Sequence, residues 1–351
     1  MTYKHLFYDD YSEGAHPRIL EALHRTNLQQ EPGYVMDSFA AEATRLIREK
    51  FASPEADVHF VASGTQVNLC VLSAILRPWE SVIAADSGHI NQHEAGAIEA
   101  TGHKINIVDG EDGKVRPHEI QEMVEMHNFD QMVVPKAVYI SQSTELGTVY
   151  TTAELTALSE KCKEHDLYLY IDGARLGAAL SAKNGDVDRT TLARLVDVFY
   201  IGGTKNGALI GEAIVVVNSQ LKHHFRFNLR QRGGLLAKGR AVSLQFQELF
   251  RDNLYFDIAQ HANTLAQQLA DGIKNCGYQL FVDAPTNQVF PIFPNTLIEQ
   301  LQEDYGFHFW EKFDDQSSIV RLVTSWATEE ADITGFLSDL QQMRETMRAK
   351  G

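Results

Sequence analysis

The chain has 351 residues, enough for two domains or for one large domain with a smaller appendage. Lys and Arg number 31 against 47 Asp and Glu, a formal net charge of −16, which argues against a nucleic-acid or anionic-membrane partner. Hydrophobic content of 44% with 22% charged residues suits a globular enzyme, and three widely separated cysteines, Cys70, Cys162 and Cys276, fit a reducing compartment and no disulfide framework. The opening MTYKHLFYDDYSEG lacks an apolar leader and no run reaches the length of a membrane span, so the chain reads as cytoplasmic.

In chain order, FYDDYSEGAHP reads as an arm or loop ahead of a short helix, PRILEALHR. The spacing of Phe39, Ala43, Leu46 and Ile47 predicts an amphipathic helix over 38–51. A strand at 58–63 leads through Gly64-Thr65 into a helix over 66–76, and a strand at 81–86 leads into SGHINQHEAGAIEATG. The alternation continues with a strand near INIVD, a helix over 117–127, a strand over 133–142, the loop STELGTVYT and a helix over 153–165. Two apolar strands, 167–171 and 196–201, then flank a helical crossover, and a short strand follows at 211–217. Such dense strand–helix alternation predicts an α/β fold with a mostly parallel sheet and helices on both faces. A long helical region over 221–269 precedes a change of texture, in which NQVFPIFP, FHFW and IVRLVTSW alternate with helices as in an α+β appendage. The expected organisation is an N-terminal arm (1–20), a large α/β domain (21–250) and a small C-terminal α+β domain (251–351).

Chemistry concentrates at strand ends, where open α/β sheets bind ligands. Asp172 ends one apolar strand, and Thr204-Lys205 follow the next, 33 residues on. A carboxylate there needs a cationic or donor partner: a ligand's ring nitrogen, Arg175 three residues on, or the start of a helix. Lys205 follows two glycines, so its backbone can approach a ligand closely. A lysine beside a cationic ring has a depressed pKa and becomes a competent nucleophile. Ser63-Gly64-Thr65, between strand and helix, suits a phosphate or an ordinary N-cap. His89, with His93 and Glu94 nearby, lies just past another strand end and suits ring stacking, base chemistry or plain solvation. Arg321 interrupts an apolar strand, where its fork suits an α-carboxylate or a structural ion pair. The stretch 226–240 packs four arginines and Lys238 into an acidic protein, either for phosphate contact across a subunit interface or as a solvated face. No GxGxxG or Walker A loop is present, so nicotinamide and nucleotide chemistry are disfavoured.

Taken together, SGT, HINQHEAGA, YIDGARLGAAL, GGTKNG and VRLVTSW resemble the threonine aldolase / β-eliminating lyase family, pyridoxal-phosphate enzymes of fold type I, over nearly the whole chain. The resemblance implies that Lys205 forms the Schiff base with pyridoxal 5'-phosphate, aided by Thr204, and that Asp172 pairs with the pyridine nitrogen. It also implies that His89 stacks on the ring, that Ser63, Gly64, Thr65 and Lys238 serve the phosphate, and that Arg175 lies beside the ring or its phenolic oxygen. Arg321 would bind the substrate carboxylate, and Tyr34 would come from a partner subunit of a homodimer or homotetramer. The implied reaction cleaves the Cα–Cβ bond of a β-hydroxy-α-amino acid to glycine and an aldehyde, with His89 and Glu94 as candidate bases. Two departures bear on the substrate. SQSTELGTVYT stands in place of the family's Thr-His-Asn element, which puts Thr144 or Glu145 near the β-hydroxyl, and Asp9-Asp10 stands in place of a Ser-Asp pair. Threonine, allo-threonine and phenylserine-like substrates therefore stay open. So does β-elimination from a cysteine- or tyrosine-like amino acid, and so does a non-catalytic binding role.

Overall fold

Seven apolar runs of five to eight residues form the central sheet: β1 (Asp57–Val61), β2 (Glu80–Ala85), β3 (Lys104–Val108), β4 (Val134–Ser141), β5 (Tyr168–Asp172), β6 (Val198–Gly202) and β7 (Glu212–Val216). The computed structural model describes residues 3–350; residues 1–2 and 351, at the outer ends of the arm and of the last segment, lie outside the described residues. The strand order is β1-β7-β6-β5-β4-β2-β3. Only β7 runs antiparallel to its neighbours, β1 and β6; the other pairings are parallel. The carboxyl ends of β1, β2, β4, β5 and β6 therefore share one edge, and all the strand-end candidates come to it.

Side chains alternate across the pleat. Leu169, Ile171, Phe199 and Ile201 join a core with the helices Ser38–Lys50, Thr152–Glu164 and Arg240–Phe250. Tyr139, Tyr170, Val198 and Tyr200 face the other way, against the helices Gly64–Ile75 and Phe225–Gln231. Helices thus cover both faces of a mostly parallel sheet, the α/β architecture expected from the sequence.

The expected continuous helical region over 221–269 is instead broken into Phe225–Gln231, Arg240–Phe250 and Leu254–Asn275. Gly233 takes φ of 71°, and Asp252 and Asn253 take 54° and 69°; left-handed residues end an α-helix. The last of these helices, 22 residues long, places Tyr255 and Ile258 in the core of the large sheet. Its later residues, Leu265 to Ile273, pack in a separate core with Phe7, Leu322 and Phe336. There an antiparallel sheet is built from Gln279–Leu280, Gln288–Val289, Pro291–Pro294, His308–Lys312 and Ser317–Val323.

The N-terminal arm ties the two parts together. His5–Leu6 pairs in parallel with Tyr305–Gly306, and Val323 N donates to Phe7 O at 3.0 Å. Farther on, His16 N donates to Gly207 O at 2.8 Å, beside the lysine loop.

Close backbone approach brings the ends of β5 and β6 together. Gly202 N donates to Gly173 O at 2.9 Å, and a Cβ on Gly173 would overlap the Tyr200 carbonyl oxygen. Gly173→Ala is expected to destabilise the protein by about 2–3 kcal/mol, because backbone and not a flexible side chain must yield. Denaturant unfolding measures this, and an unchanged midpoint would contradict the packing described.

Candidate active site

Asp172, at the end of β5, is buried and meets only neutral donors. Tyr139 OH donates to its Oδ2 at 2.6 Å, Asn68 Nδ2 to the same oxygen at 3.3 Å, and Ala174 N to Oδ1 at 2.9 Å. Among the described residues no cation forms an ion pair with it. Asn68 is itself oriented by Tyr170 OH, which donates to its Oδ1 at 2.6 Å. The row of tyrosines on one face of the sheet thus fixes where the carboxylate points.

Asn68 also donates to Glu94 Oε1 at 2.6 Å, and the same oxygen lies 2.8 Å from His89 Nδ1. The Glu94 side chain is fully buried whereas that of His89 is about one-third exposed. Glu94 Oε1 thus anchors the imidazole through Nδ1 and leaves Nε2 free of that contact, while Glu94 Oε2 is buried without a hydrogen-bond partner among the described residues. Next to it, Glu145 Oε1 accepts from His89 N at 3.0 Å and from Ser141 Oγ at 2.7 Å. Burial and the nearby Asp172 push the Glu145 carboxyl above the usual range, against the Ser141 hydrogen bond.

Lys205 follows β6 through Gly203-Thr204. Burial, then the Arg175 guanidinium, lower its amine from the ordinary lysine value, outweighing Asp10, Asp172 and Glu212. The Tyr11 ring lies 5.9 Å from Nζ, centroid to nitrogen. Arg175 makes a two-pronged pair with Asp10, Nε to Oδ2 at 2.7 Å and Nη2 to Oδ1 at 3.0 Å, and Asn287 Nδ2 adds a third bond at 2.8 Å. Arg321 lies close enough to Arg175, Asp10, Tyr11 and Asp9 for their charges to act on it. Burial and then Arg175 lower its guanidinium to about 10. Arg321 makes no ion pair among the described residues, its Nε is buried without a partner, and its guanidinium lies 5.5 Å from the Trp310 ring.

At the end of β1, Ser63 caps the helix Gly64–Ile75, with its side chain accepting from Gln66 N at 3.4 Å. The earlier amides, of Gly64 and Thr65, are left for an outside acceptor.

Four of the expected residues do not join this cluster within the chain, two of which, Tyr34 and Lys238, are expected to act across a subunit interface. Lys238 is exposed, within the non-helical segment between Phe225–Gln231 and Arg240–Phe250, and among the described residues no hydrogen bond or ion pair ties it to the cluster. Thr144 turns into the 144–148 loop, its hydroxyl 2.7 Å from Thr148 Oγ1 and packed under Gly113, so Glu145 takes the site-facing position. Asp9 spends Oδ1 on Tyr11 N and Ser12 Oγ, both at 3.0 Å; its charge reaches Arg321, but Asp10 makes the direct contact with the site. Tyr34 lies on the surface with its ring 4.8 Å from Arg230 Cζ, apart from Lys205 of the same chain. Asn68, Tyr139, Tyr11 and Glu212 are absent from the sequence expectations, and Asp10 entered them only beside Asp9; Glu212, an acid opening an apolar strand, is the one of these with a local signal in the sequence.

Residues 25–295 match the family described as Beta-eliminating lyase. The low specificity L-threonine aldolase of Pseudomonas sp. (strain NCIMB 10558) is 32% identical over 336 residues, covering 95% of this chain and 96% of that protein. A solved threonine aldolase from Leishmania major superposes with a TM-score of 0.96 at 46% identity, over 97% of this chain and 99% of that one. An aspartate aminotransferase mutant from Thermus thermophilus shares the fold alone, with a TM-score of 0.71 at 17% identity over 97% of this chain and 91% of that one. The architecture is fold type I, that of pyridoxal-phosphate enzymes. The chain belongs to the β-eliminating lyase family and is a lyase, similar along nearly its whole length to threonine aldolases.

The Asp10–Arg175 pair gives a test. Burial raises the Asp10 carboxyl, but Arg175, Lys205 and the hydrogen bonds from Arg175 and Asn287 outweigh it and hold it below the ordinary value. Its stabilisation is thus complete above the unfolded value of about 3.9 and is lost as pH falls below it, through the lower folded value. Asp10→Asn, which leaves Arg175 buried without an anion, is expected to cost about 3 kcal/mol at neutral pH. The deficit should shrink below about pH 4. Denaturant titrations of both proteins across pH measure it; a deficit that grows toward acid would contradict the sign.

Proposed function

We propose that this chain is a pyridoxal-phosphate-dependent aldolase cleaving the Cα–Cβ bond of a β-hydroxy-α-amino acid, threonine, allo-threonine or a phenylserine-like compound, to glycine and an aldehyde. The observation that carries this reading is the meeting of Asp172 and Lys205 at one sheet edge with Arg321 from the C-terminal part, Lys205 and Arg321 making no ion pair among the described residues. The site fits the cofactor chemically. A carboxylate with only neutral donors suits a cationic ring nitrogen, and free helix-start amides suit a phosphate. In this reading the large part, 21–250, holds the cofactor, the arm, 1–20, closes over it, and the C-terminal part, 251–351, brings Arg321.

When bound, pyridoxal phosphate supplies the electron sink that makes a bond to Cα breakable. Ser63, Gly64 and Thr65 hold the phosphate, and Asp172, aimed by Tyr139, Asn68 and Ala174 N, keeps the ring nitrogen protonated. Lys205 is the point of covalent attachment; its lowered pKa favours the neutral, nucleophilic amine. Arg321 would grip the substrate carboxylate and so orient the Cα–Cβ bond for cleavage. His89 covers one face of the ring. With Nδ1 committed to Glu94, its Nε2 takes the proton from the β-hydroxyl, directly or through water, as Cα–Cβ breaks and the aldehyde carbonyl forms. Cα then takes a proton, from His89 Nε2 or from water, in place of the lost carbon, which gives glycine. Glu94 acts through His89 and is a positioning residue.

Tyr34, Met36 and Phe227 are exposed together beside Arg226 and Arg230. This apolar, basic surface supports self-association in a homodimer or homotetramer, with Tyr34 reaching a partner's site. Among the described residues no helix is long and apolar enough to cross a membrane, and the three cysteines are free and buried, as suits the cytoplasm.

An amino acid panel scored for glycine, aldehyde and keto acid tests the reaction. Glycine plus aldehyde from β-hydroxy amino acids is expected; keto acid and ammonia from cysteine or tyrosine alone would contradict it. Lys205→Ala should abolish both the visible absorbance of the loaded protein and turnover. Arg321→Ala should lower kcat/KM roughly 100-fold, the worth of about 3 kcal/mol of charge-assisted binding. An unaltered kcat/KM would remove Arg321 from the substrate site.

A further inference from the structure

Glu212 opens a strand that is otherwise apolar, Glu-Ala-Ile-Val-Val, buried at all five positions. It is flanked by Val61 of β1 and Gly202 of β6, the residue just before the lysine loop. Its Oε2 accepts from Gly203 N at 2.9 Å, and its carboxyl is hydrogen-bonded by the Thr204 side chain. Thr204 Oγ1 accepts in turn from Gly211 N at 3.0 Å. Both residues that precede Lys205 are therefore fastened to one side chain or to its neighbour. Facing the carboxyl are Lys205 from that loop, Asp172 from the end of β5, the phenols of Tyr170 and Tyr200 from the sheet, and Tyr255 from the helix Leu254–Asn275. Burial pushes the carboxyl up to about 7 despite its donors. A buried acid lowers stability unless it is paired, so a residue needed only to fasten a loop has no reason to be one.

We propose that Glu212 is a positioning residue for Lys205: it fixes the 203–204 backbone and places a negative charge where the lysine nitrogen feels it. The proposal rests on Lys205 being the point of cofactor attachment. A carboxylate at that place, ionised above about pH 7, favours the protonated form of the lysine nitrogen there, including when it is linked to the cofactor.

The test is the pH dependence of visible absorbance of the pyridoxal-phosphate-loaded protein, wild type against Glu212→Gln, with thermal unfolding run alongside as a folding control. The amide keeps an acceptor for Gly203 N and removes the charge. The protonation midpoint is expected to move down by roughly one unit, the effect of one nearby charge in a partly screened site. Coincident titration curves overturn the proposal. A wild-type protein that gains no visible band overturns the attachment at Lys205, which is a separate result. If Glu212→Gln does not fold, Thr204→Val removes both hydrogen bonds of the Thr204 hydroxyl, to Glu212 and from Gly211 N, and keeps both charges. It is expected to leave the midpoint in place and lower kcat about tenfold through misplacement of Lys205; an unchanged kcat overturns the positioning role.

Discussion

A carboxylate taken out of water without a cation costs several kcal/mol, and the cost is met only by a full set of donors or by a charge brought to it. Asp172 has the donors: a phenol, an amide and a backbone N–H. Much of the surrounding architecture follows from holding that group still. Tyr139 on β4 and Tyr170 on β5 direct the phenol and the amide, and Gly173 lets β6 come close enough to set Lys205 nearby. Glu94, tied to the same Asn68, extends this network to His89. A change in any of these residues is thus felt at the carboxylate.

A second pair acts across the two parts of the molecule. Asp10 belongs to the arm, Arg175 follows the Asp172 strand, and Asn287 comes from the C-terminal part, so three remote segments meet at one buried ion pair. Burial, and then repulsion from Arg175, lower the amine of Lys205 and the guanidinium of Arg321. Arg321 sits on a strand whose inward neighbours, Val320 and Leu322, are fully buried in the smaller core, which keeps the guanidinium from swinging away. Rigid packing and the lack of an ion-pair partner among the described residues are what the proposed carboxylate-binding role of Arg321 rests on.

How much of this is legible in the sequence depends on the reach of each signal. Asp172 and Lys205 stand at the ends of apolar runs, and parallel topology alone brings such ends to one edge; Ser63 and His89 follow by the same rule. The architecture is legible because strand period and helix period alternate along the chain. Partners are not, because no periodicity links Asn68 to Asp172 or Asp10 to Arg175. The roles of Thr144 and Glu145 are decided by a turn that commits one hydroxyl to Thr148, and a sequence shows the two residues only as neighbours. Lys238 is exposed in the segment between two helices, and its expected contact, across a subunit interface, is not one that a local sequence signal resolves.

The account stands on Lys205 facing Asp172 as the point of covalent attachment. The most direct measurement is borohydride reduction of the protein loaded with pyridoxal phosphate, followed by peptide mass mapping. The pyridoxyl label is expected on the peptide containing Lys205, and the Asp172→Ala protein should take up markedly less. Label on another lysine, or none at all, would contradict it.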